Sequence, residues 1–139
     1  SILRFANVYG PGQNAHGEAG VISIFLNSIF AQTPPIIYGG EQTRDFVYVK
    51  DVADGLFSSL HNGRNCTFNL STNTETKIND LLILMLKKVN TNLNPVIKPQ
   101  REGDIGQSRL DNTKALTELQ WIPRYTLDRG LQETIDMYQ

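Results

Sequence analysis

Apolar and polar residues alternate in blocks that predict strands and helices in turn. An apolar run over residues 2–8 predicts a buried strand that ends at the turn signal Tyr-Gly-Pro-Gly. After a polar, glycine-containing loop, residues 21–32 form an apolar stretch with the length of a helix, which Pro34 and Pro35 end. Two short strands are predicted at residues 36–40 and 45–49.

The second half of the chain continues this alternation. We expect Asp51 to cap a helix in which Val52, Leu56 and Leu60 share one inner face. A strand at residues 66–70, a helix from residue 78, a short extended piece within residues 91–99 and helices at 112–119 and 127–138 follow. The helix from residue 78 carries an apolar stripe that predicts its inner face: Leu81, Leu82, Met85, Leu86 and Val89. This order predicts the α/β class, with mixed pairing among the small strands. No repeat or linker divides residues 1–139.

Composition narrows the function classes. The chain has 139 residues, of which 40% are hydrophobic and 19% are charged, as in an ordinary soluble globular protein. A net charge of -1 gives no electrostatic reason to expect nucleic acid or an anionic membrane as partner. Cys66 is the only cysteine, which excludes an internal disulfide and favours a reducing cytoplasm. No apolar run approaches the roughly 20 residues of a membrane span.

The stretch IIYGGEQTRDFVYVKDVADGL places charged residues between two apolar runs. Gly39 and Gly40 allow a sharp turn or a close approach to a ligand. Arg44 carries a planar fork of five donors that suits a carboxylate or a phosphate, and a buried arginine needs a partner. Its partner is either an acidic side chain such as Asp45, in a salt bridge that holds the turn, or a bound anion.

A second candidate anion site is the segment REGD, in which Arg101 and Asp104 lie three positions apart. Two arginines on separate loops can grip the two phosphates of a diphosphate, and Asp104 can accept from a ribose hydroxyl. Taken alone, the segment is more typical of a solvated polar turn. His16 and His61 lack metal-ligand spacing, so no metal site is expected. The chain contains no GxGxxG loop, Walker loop or GxSxG elbow.

Five blocks occur in a specific order: RFANVYGPGQNAHGEAG, IIYGGEQTRDFVYVKDVADGL, FNLSTNTETKI, REGD and LQWIPRYTLDRGLQETI. Together they resemble the C-terminal part of an NAD-dependent sugar-nucleotide epimerase/dehydratase of the extended short-chain dehydrogenase/reductase superfamily. The resemblance runs from Arg4 to Tyr138. Within the family, residues 6–20 are most similar to UDP-glucose 4-epimerase.

The resemblance implies a fold and a mechanism for an intact enzyme. Residues 1–139 would be its C-terminal substrate-binding portion, with one strand belonging to a Rossmann sheet whose NAD-binding remainder lies upstream, outside this chain. NAD would oxidise the sugar at C4 and return the hydride to the other face of the 4-keto intermediate. The tyrosine base of a YxxxK motif would also lie upstream, since none of the five tyrosines here begins such a motif. We therefore expect no catalytic residue in this chain, and a homodimer when intact.

Site residues follow from the same resemblance. Phe5 and Ala6 match positions beside the nicotinamide. The expected contacts to a UDP-sugar come from a strand end, a helix start, a pocket-lining strand and the two arginine segments: Asn7, Gly20, Val21, Ile36, Ile37, Tyr38, Arg44, Arg101 and Asp104. Here Arg44 and Arg101 would hold the diphosphate and Asp104 the ribose, so that the partner of Arg44 would be the ligand.

Two other interpretations stay open. A sugar-nucleotide dehydratase, decarboxylase or reductase of the same family would share this half of the protein. A non-catalytic nucleotide-sugar-binding module would keep the pocket without the redox half.

Overall fold

The computed structural model describes residues 1–14 and 20–138, so His16 lies outside the described residues. Strands and helices alternate in it, as the sequence predicts. The elements in chain order are β1 Ile2–Phe5, β2 Asn7–Tyr9, α1 Val21–Phe30, β3 Ile36–Tyr38, β4 Thr43–Arg44, β5 Phe46–Tyr48, α2 Val49–His61, β6 Thr67–Leu70, β7 Thr76–Lys77, α3 Ile78–Val89, β8 Val96–Lys98, α4 Thr113–Glu118 and α5 Leu127–Asp136.

The strands form short pairs, three of them parallel. β1 pairs with β6, β2 with β5 and β3 with β8 in parallel, whereas β4 and β7 are antiparallel. The predicted α/β class with mixed pairing is confirmed. The single strand predicted at residues 2–8 is two strands, because the backbone changes partners at Ala6. The Ala6 N–H donates to Leu70 O at 3.1 Å, and the next N–H, of Asn7, donates to Asp45 O at 2.8 Å.

Two apolar clusters hold these elements together. In the larger one, α1 and α3 pack with β5 and α5, and the predicted inner stripe of α3 is confirmed because Leu81, Leu82 and Met85 are fully buried. The smaller cluster joins β6 to α2 and α4 and includes the buried Trp121. None of the helices in the described ranges is long and apolar enough to cross a bilayer.

The predictions for α2 are partly wrong. The helix begins at Val49, so Asp51 lies in its first turn, and the carboxylate of Asp51 accepts from the N–H groups of Arg124 and Tyr125. Leu56 and Leu60 are 47% and 79% exposed, respectively. A glycine at position 55 explains the error: it lets α2 approach β6 so closely that a Cβ there would lie 2.5 Å from Leu70. The inner face of α2 therefore follows Asp51, Val52 and Gly55.

Candidate functional site

An open cavity of about 500 Å³ is lined by residues of β2, β3 and β4, by the beginnings of α1 and α3 and by the segment 101–104. Nine of its lining residues are those that the sequence predicts for substrate binding: Asn7, Gly20, Val21, Ile36, Ile37, Tyr38, Arg44, Arg101 and Asp104. Six further lining residues were not predicted: Ile24, Phe25, Gln42, Ile78, Glu102 and Gly103. The fold thus brings together segments that lie up to about a hundred positions apart.

Parallel pairing of β3 with β8 explains how two of these segments meet. Tyr38 ends β3 and pairs with Lys98, which ends β8. The Gly39 N–H also donates to Lys98 O at 2.9 Å. Because parallel strands present their carboxyl ends at one edge, the glycine turn and the segment from residue 99 to residue 104 leave the sheet side by side. The predicted pocket-lining strand at residues 36–38 and the predicted anion-binding segment at residues 101–104 are therefore neighbours.

The glycine turn is fastened to the beginning of α3. Gly39 and Gly40 have φ values of 74° and 106°, so the expected sharp turn is present and favours glycine at both positions. Gly40 O accepts from the Asn79 N–H at 3.0 Å, and Gln42 O accepts from the Ile78 N–H at 3.1 Å. Two N–H groups at the start of α3 thus find acceptors in the turn, and this holds the backbone that leads to Arg44.

Arg44 is held by three oxygen acceptors at the cavity. Its Nη1 donates to Thr43 O and to Ile105 O, both at 2.7 Å, and its Nη2 lies 2.7 Å from Asp104 Oδ1. The side chain is 17% exposed. These contacts use three of the five guanidinium donors and leave two, within the described residues, for a further acceptor. Asp104 is thus the acidic partner of Arg44, and the expectation that a bound ligand also contacts Arg44 stays a prediction.

Asp45, the adjacent acidic residue, has a different task. It is 1% exposed, and its carboxylate accepts from the N–H and hydroxyl of Thr72, from the Asn73 N–H and, at 3.4 Å, from the Leu110 N–H. It is not among the residues that line the cavity. Asp45 therefore joins its own segment to residues 72–73 and to residue 110, and it does not pair with Arg44.

Arg101 stacks on the ring of Tyr38. Its guanidinium carbon lies 4.0 Å from the ring centroid, and Lys98 Nζ lies 5.8 Å from the same centroid. A cation over an aromatic face is attracted by the ring quadrupole, so Tyr38 supports the long exposed side chain of Arg101. Arg44 and Arg101 consequently supply positive charge to the same cavity from two segments.

The beginning of α1 supplies a further electropositive group. Gly20 is the N-cap residue, and no side-chain hydrogen bond caps the helix in the described residues. The Ser23 hydroxyl donates to Gly20 O at 2.8 Å and so supports the turn without using the first N–H groups. The N-terminal end of a helix favours an anion nearby, and both Gly20 and Val21 line the cavity.

Phe5 and Ala6 do not line this cavity. Phe5 ends β1 and is 44% exposed, and Ala6 packs against the smaller apolar cluster. They directly precede Asn7, which does line the cavity. Among the described residues, no group of three His, Cys, Asp or Glu side chains is placed to hold a metal ion.

Gln42 is the most strongly hydrogen-bonded of the six lining residues that the sequence did not predict. It is buried and lies between the glycine turn and β4, with hydrogen bonds to both the turn and Asp104. A signal was available: a glutamine beside two buried strands must find partners for both ends of its amide. The sequence could not say that one partner lies 62 positions away.

Comparison with known proteins gives a consistent assignment. The profile of the NAD dependent epimerase/dehydratase family matches residues 1–71. The UDP-glucose 4-epimerase of Mycolicibacterium smegmatis is 39% identical over 136 residues, which cover 96% of this chain and 44% of that protein.

Two solved structures extend the likeness to the fold. The Thermotoga maritima UDP-glucose 4-epimerase with UDP-glucose superposes with a TM-score of 0.95 at 41% identity, over 98% of this chain and 44% of that one. The Thermus thermophilus UDP-glucose 4-epimerase complex with NAD gives 0.86 at 31% identity, over 98% and 45%. The chain thus spans less than half the length of these relatives.

Proposed function

The chain belongs to the NAD dependent epimerase/dehydratase family, and from this premise we propose that it is the nucleotide-sugar-binding part of an NAD-dependent UDP-glucose 4-epimerase-like enzyme. One observation carries the proposal. The nine residues expected to contact a UDP-sugar, drawn from five separate segments, line a single cavity. A solvated polar turn at residues 101–104 would not require this convergence.

The cavity suits a nucleoside diphosphate in charge and in shape. Arg44 and Arg101 supply two guanidinium groups and the N-terminal end of α1 a partial positive charge, which together attract the two negative phosphates although Asp104 offsets part of the charge of Arg44. Asp104 adds an acceptor for a ribose hydroxyl. Ile36 and Tyr38 supply an apolar wall of the kind on which a nucleobase packs.

The residues proposed to lie beside NAD fit such a group. Phe5 ends a parallel strand with its ring partly exposed, and ligands of α/β sheets bind beyond the carboxyl ends of the strands. Bound NAD would supply the removal and return of hydride at the sugar. The residues of this chain bind and orient the sugar nucleotide for that chemistry. We further propose that the NAD-binding domain and the YxxxK tyrosine base belong to a preceding part of a longer protein, a cytoplasmic homodimer.

The first test measures the binding of UDP and UDP-glucose by titration calorimetry, with the protein at its natural length. Arg44→Ala should weaken UDP binding by roughly 10- to 100-fold, since a charge-assisted hydrogen bond contributes about 1.5–3 kcal/mol. Arg64→Ala removes an exposed arginine that does not line the cavity and serves as the matched control. Equal UDP affinity in parent and Arg44→Ala would overturn the proposal.

A second measurement separates the related reactions. The protein is incubated with UDP-glucose and NAD, and the products are analysed by mass spectrometry and chromatography. An epimerase yields UDP-galactose of unchanged mass, whereas a dehydratase product has lost water. A protein that binds UDP-glucose but converts none of it would be the non-catalytic binding module.

A further inference from the structure

Gln42 links the segment 38–40 to the segment that carries Asp104 through hydrogen bonds from both ends of its amide. Its Oε1 accepts from the Gly40 N–H at 2.6 Å, and its Nε2 donates to Tyr38 O at 2.6 Å and to Asp104 Oδ2 at 3.3 Å. The residue is only 8% exposed. One buried side chain therefore contacts the end of β3, the glycine turn and the segment that carries the carboxylate.

The carboxylate of Asp104 is consequently held on both of its oxygens. Arg44 binds Oδ1, and Gln42 donates to Oδ2. The surrounding segment is otherwise open to solvent, since Arg101, Glu102 and Gly103 are all exposed. The orientation of the carboxylate thus depends on two side chains that reach it from the opposite wall.

We propose that Gln42 is a positioning residue that orients Asp104 toward a ribose hydroxyl, and that it thereby sets the preference of this site for a nucleoside diphosphate over inorganic diphosphate. The inference rests on the proposed function and concerns the same site. An amide is needed because one end must accept from Gly40 and the other must donate to two oxygens. A carboxylate of the same size keeps the first contact and turns the other two into repulsions between acceptors.

Gln42→Glu therefore tests the contact between Gln42 and Asp104. Binding of UDP and of inorganic pyrophosphate is measured in the protein at its natural length. We expect UDP affinity to fall by about tenfold, as for a lost hydrogen bond to a charged group. The added negative charge also weakens the binding of inorganic pyrophosphate, so selectivity is measured with the uncharged Gln42→Asn, which keeps the amide but shortens the side chain. Because pyrophosphate lacks a ribose, Gln42→Asn should weaken UDP binding by a clearly larger factor than pyrophosphate binding.

A double-mutant cycle with Asp104→Asn tests whether Gln42 acts through Asp104. An amide at position 104 can donate to a carboxylate at position 42, so the effect of Gln42→Glu on UDP binding should largely disappear in the Asp104→Asn background. Additive effects in the cycle, or equal losses of UDP and pyrophosphate affinity in Gln42→Asn, would show that Gln42 only braces the turn and would overturn this inference while leaving the proposed function intact. A parent protein that binds no UDP overturns both.

Discussion

Asp104 Oδ1 lies 2.7 Å from Arg44 Nη2, although the two residues are 60 positions apart in the chain. The contact joins the two segments that the sequence singles out for anion binding. It also places a negative charge beside the guanidinium that is proposed to hold a phosphate. The pair therefore holds the site in shape and at the same time opposes the approach of an anion.

Asp104→Asn should weaken the binding of UDP without weakening the binding of inorganic pyrophosphate. UDP binding should weaken severalfold because the ribose loses a charged acceptor. Inorganic pyrophosphate should bind as well as in the parent or better, because Arg44 is freed from a neighbouring carboxylate and the local charge becomes more positive. Titration calorimetry at low ionic strength measures both. Equal weakening of the two ligands would contradict this account of the pair.

Tyr38→Leu should release Arg101 from its stacked position. A cation over an aromatic ring contributes about 0.5–2 kcal/mol, so we expect pyrophosphate and UDP affinities to fall by roughly 2- to 30-fold. Tyr38→Phe keeps the ring face and should bind both ligands as the parent does. If Tyr38→Leu weakens UDP but leaves pyrophosphate binding unchanged, the ring serves the nucleobase alone and does not support Arg101.

Asp45→Ala should reduce stability more than any change at the cavity surface. It would remove the buried carboxylate that accepts from the N–H groups of Thr72 and Asn73, so the free energy of unfolding should fall by roughly 3 kcal/mol. Asp54→Ala, at an exposed position of α2, is the control and should be nearly neutral. Urea denaturation measures both variants, and similar losses would argue against the fastening role of Asp45.

Glu133 gives a pH-dependent contribution to stability. Lys50 donates to its carboxylate at 2.7 Å, and together with the Tyr48 hydroxyl this hydrogen bond lowers the pKa of Glu133 from its ordinary value of 4.5. A lowered folded-state pKa adds stability that is present above the unfolded value and lost as the pH falls through the folded one.

The melting temperature of Glu133→Gln should accordingly lie below that of the parent at pH 7, with a difference that narrows as the pH falls below about 4.5. Glu118→Gln, at the exposed end of α4, is the matched control. A difference that persists unchanged to pH 3 would show that the Glu133 side chain acts through packing and not through its charge.

The sequence predicted those parts of the fold in which local pattern and tertiary packing agree. The inner stripe of α3 was confirmed because three apolar side chains recur on one helical face. The inner face of α2 was predicted wrongly. Gly55 adds no apolar side chain to a periodic pattern, yet it is the residue through which α2 comes close to β6. Likewise aspartate is a common helix-capping residue, but the carboxylate of Asp51 accepts from N–H groups that lie 73 and 74 positions further along the chain.

The candidate site shows the same division. The residue types at positions 44, 101 and 104 indicated anion binding, and the order of the blocks indicated a family. The contact between Arg44 and Asp104 depends on the parallel register of β3 and β8, which no local pattern encodes. Gln42 was not predicted for the same reason, since its hydrogen bond to Asp104 forms only when the fold brings the two segments together.

The parallel pair β3 and β8 has a thermodynamic consequence. A ligand bound by both Arg44 and Arg101 bridges segments that separate when the chain unfolds, so its binding and the folding equilibrium are linked. A ligand at 100 times its dissociation constant would raise the free energy of unfolding by about 2.7 kcal/mol. The heat resistance of this protein would then vary with the concentration of the nucleotide around it.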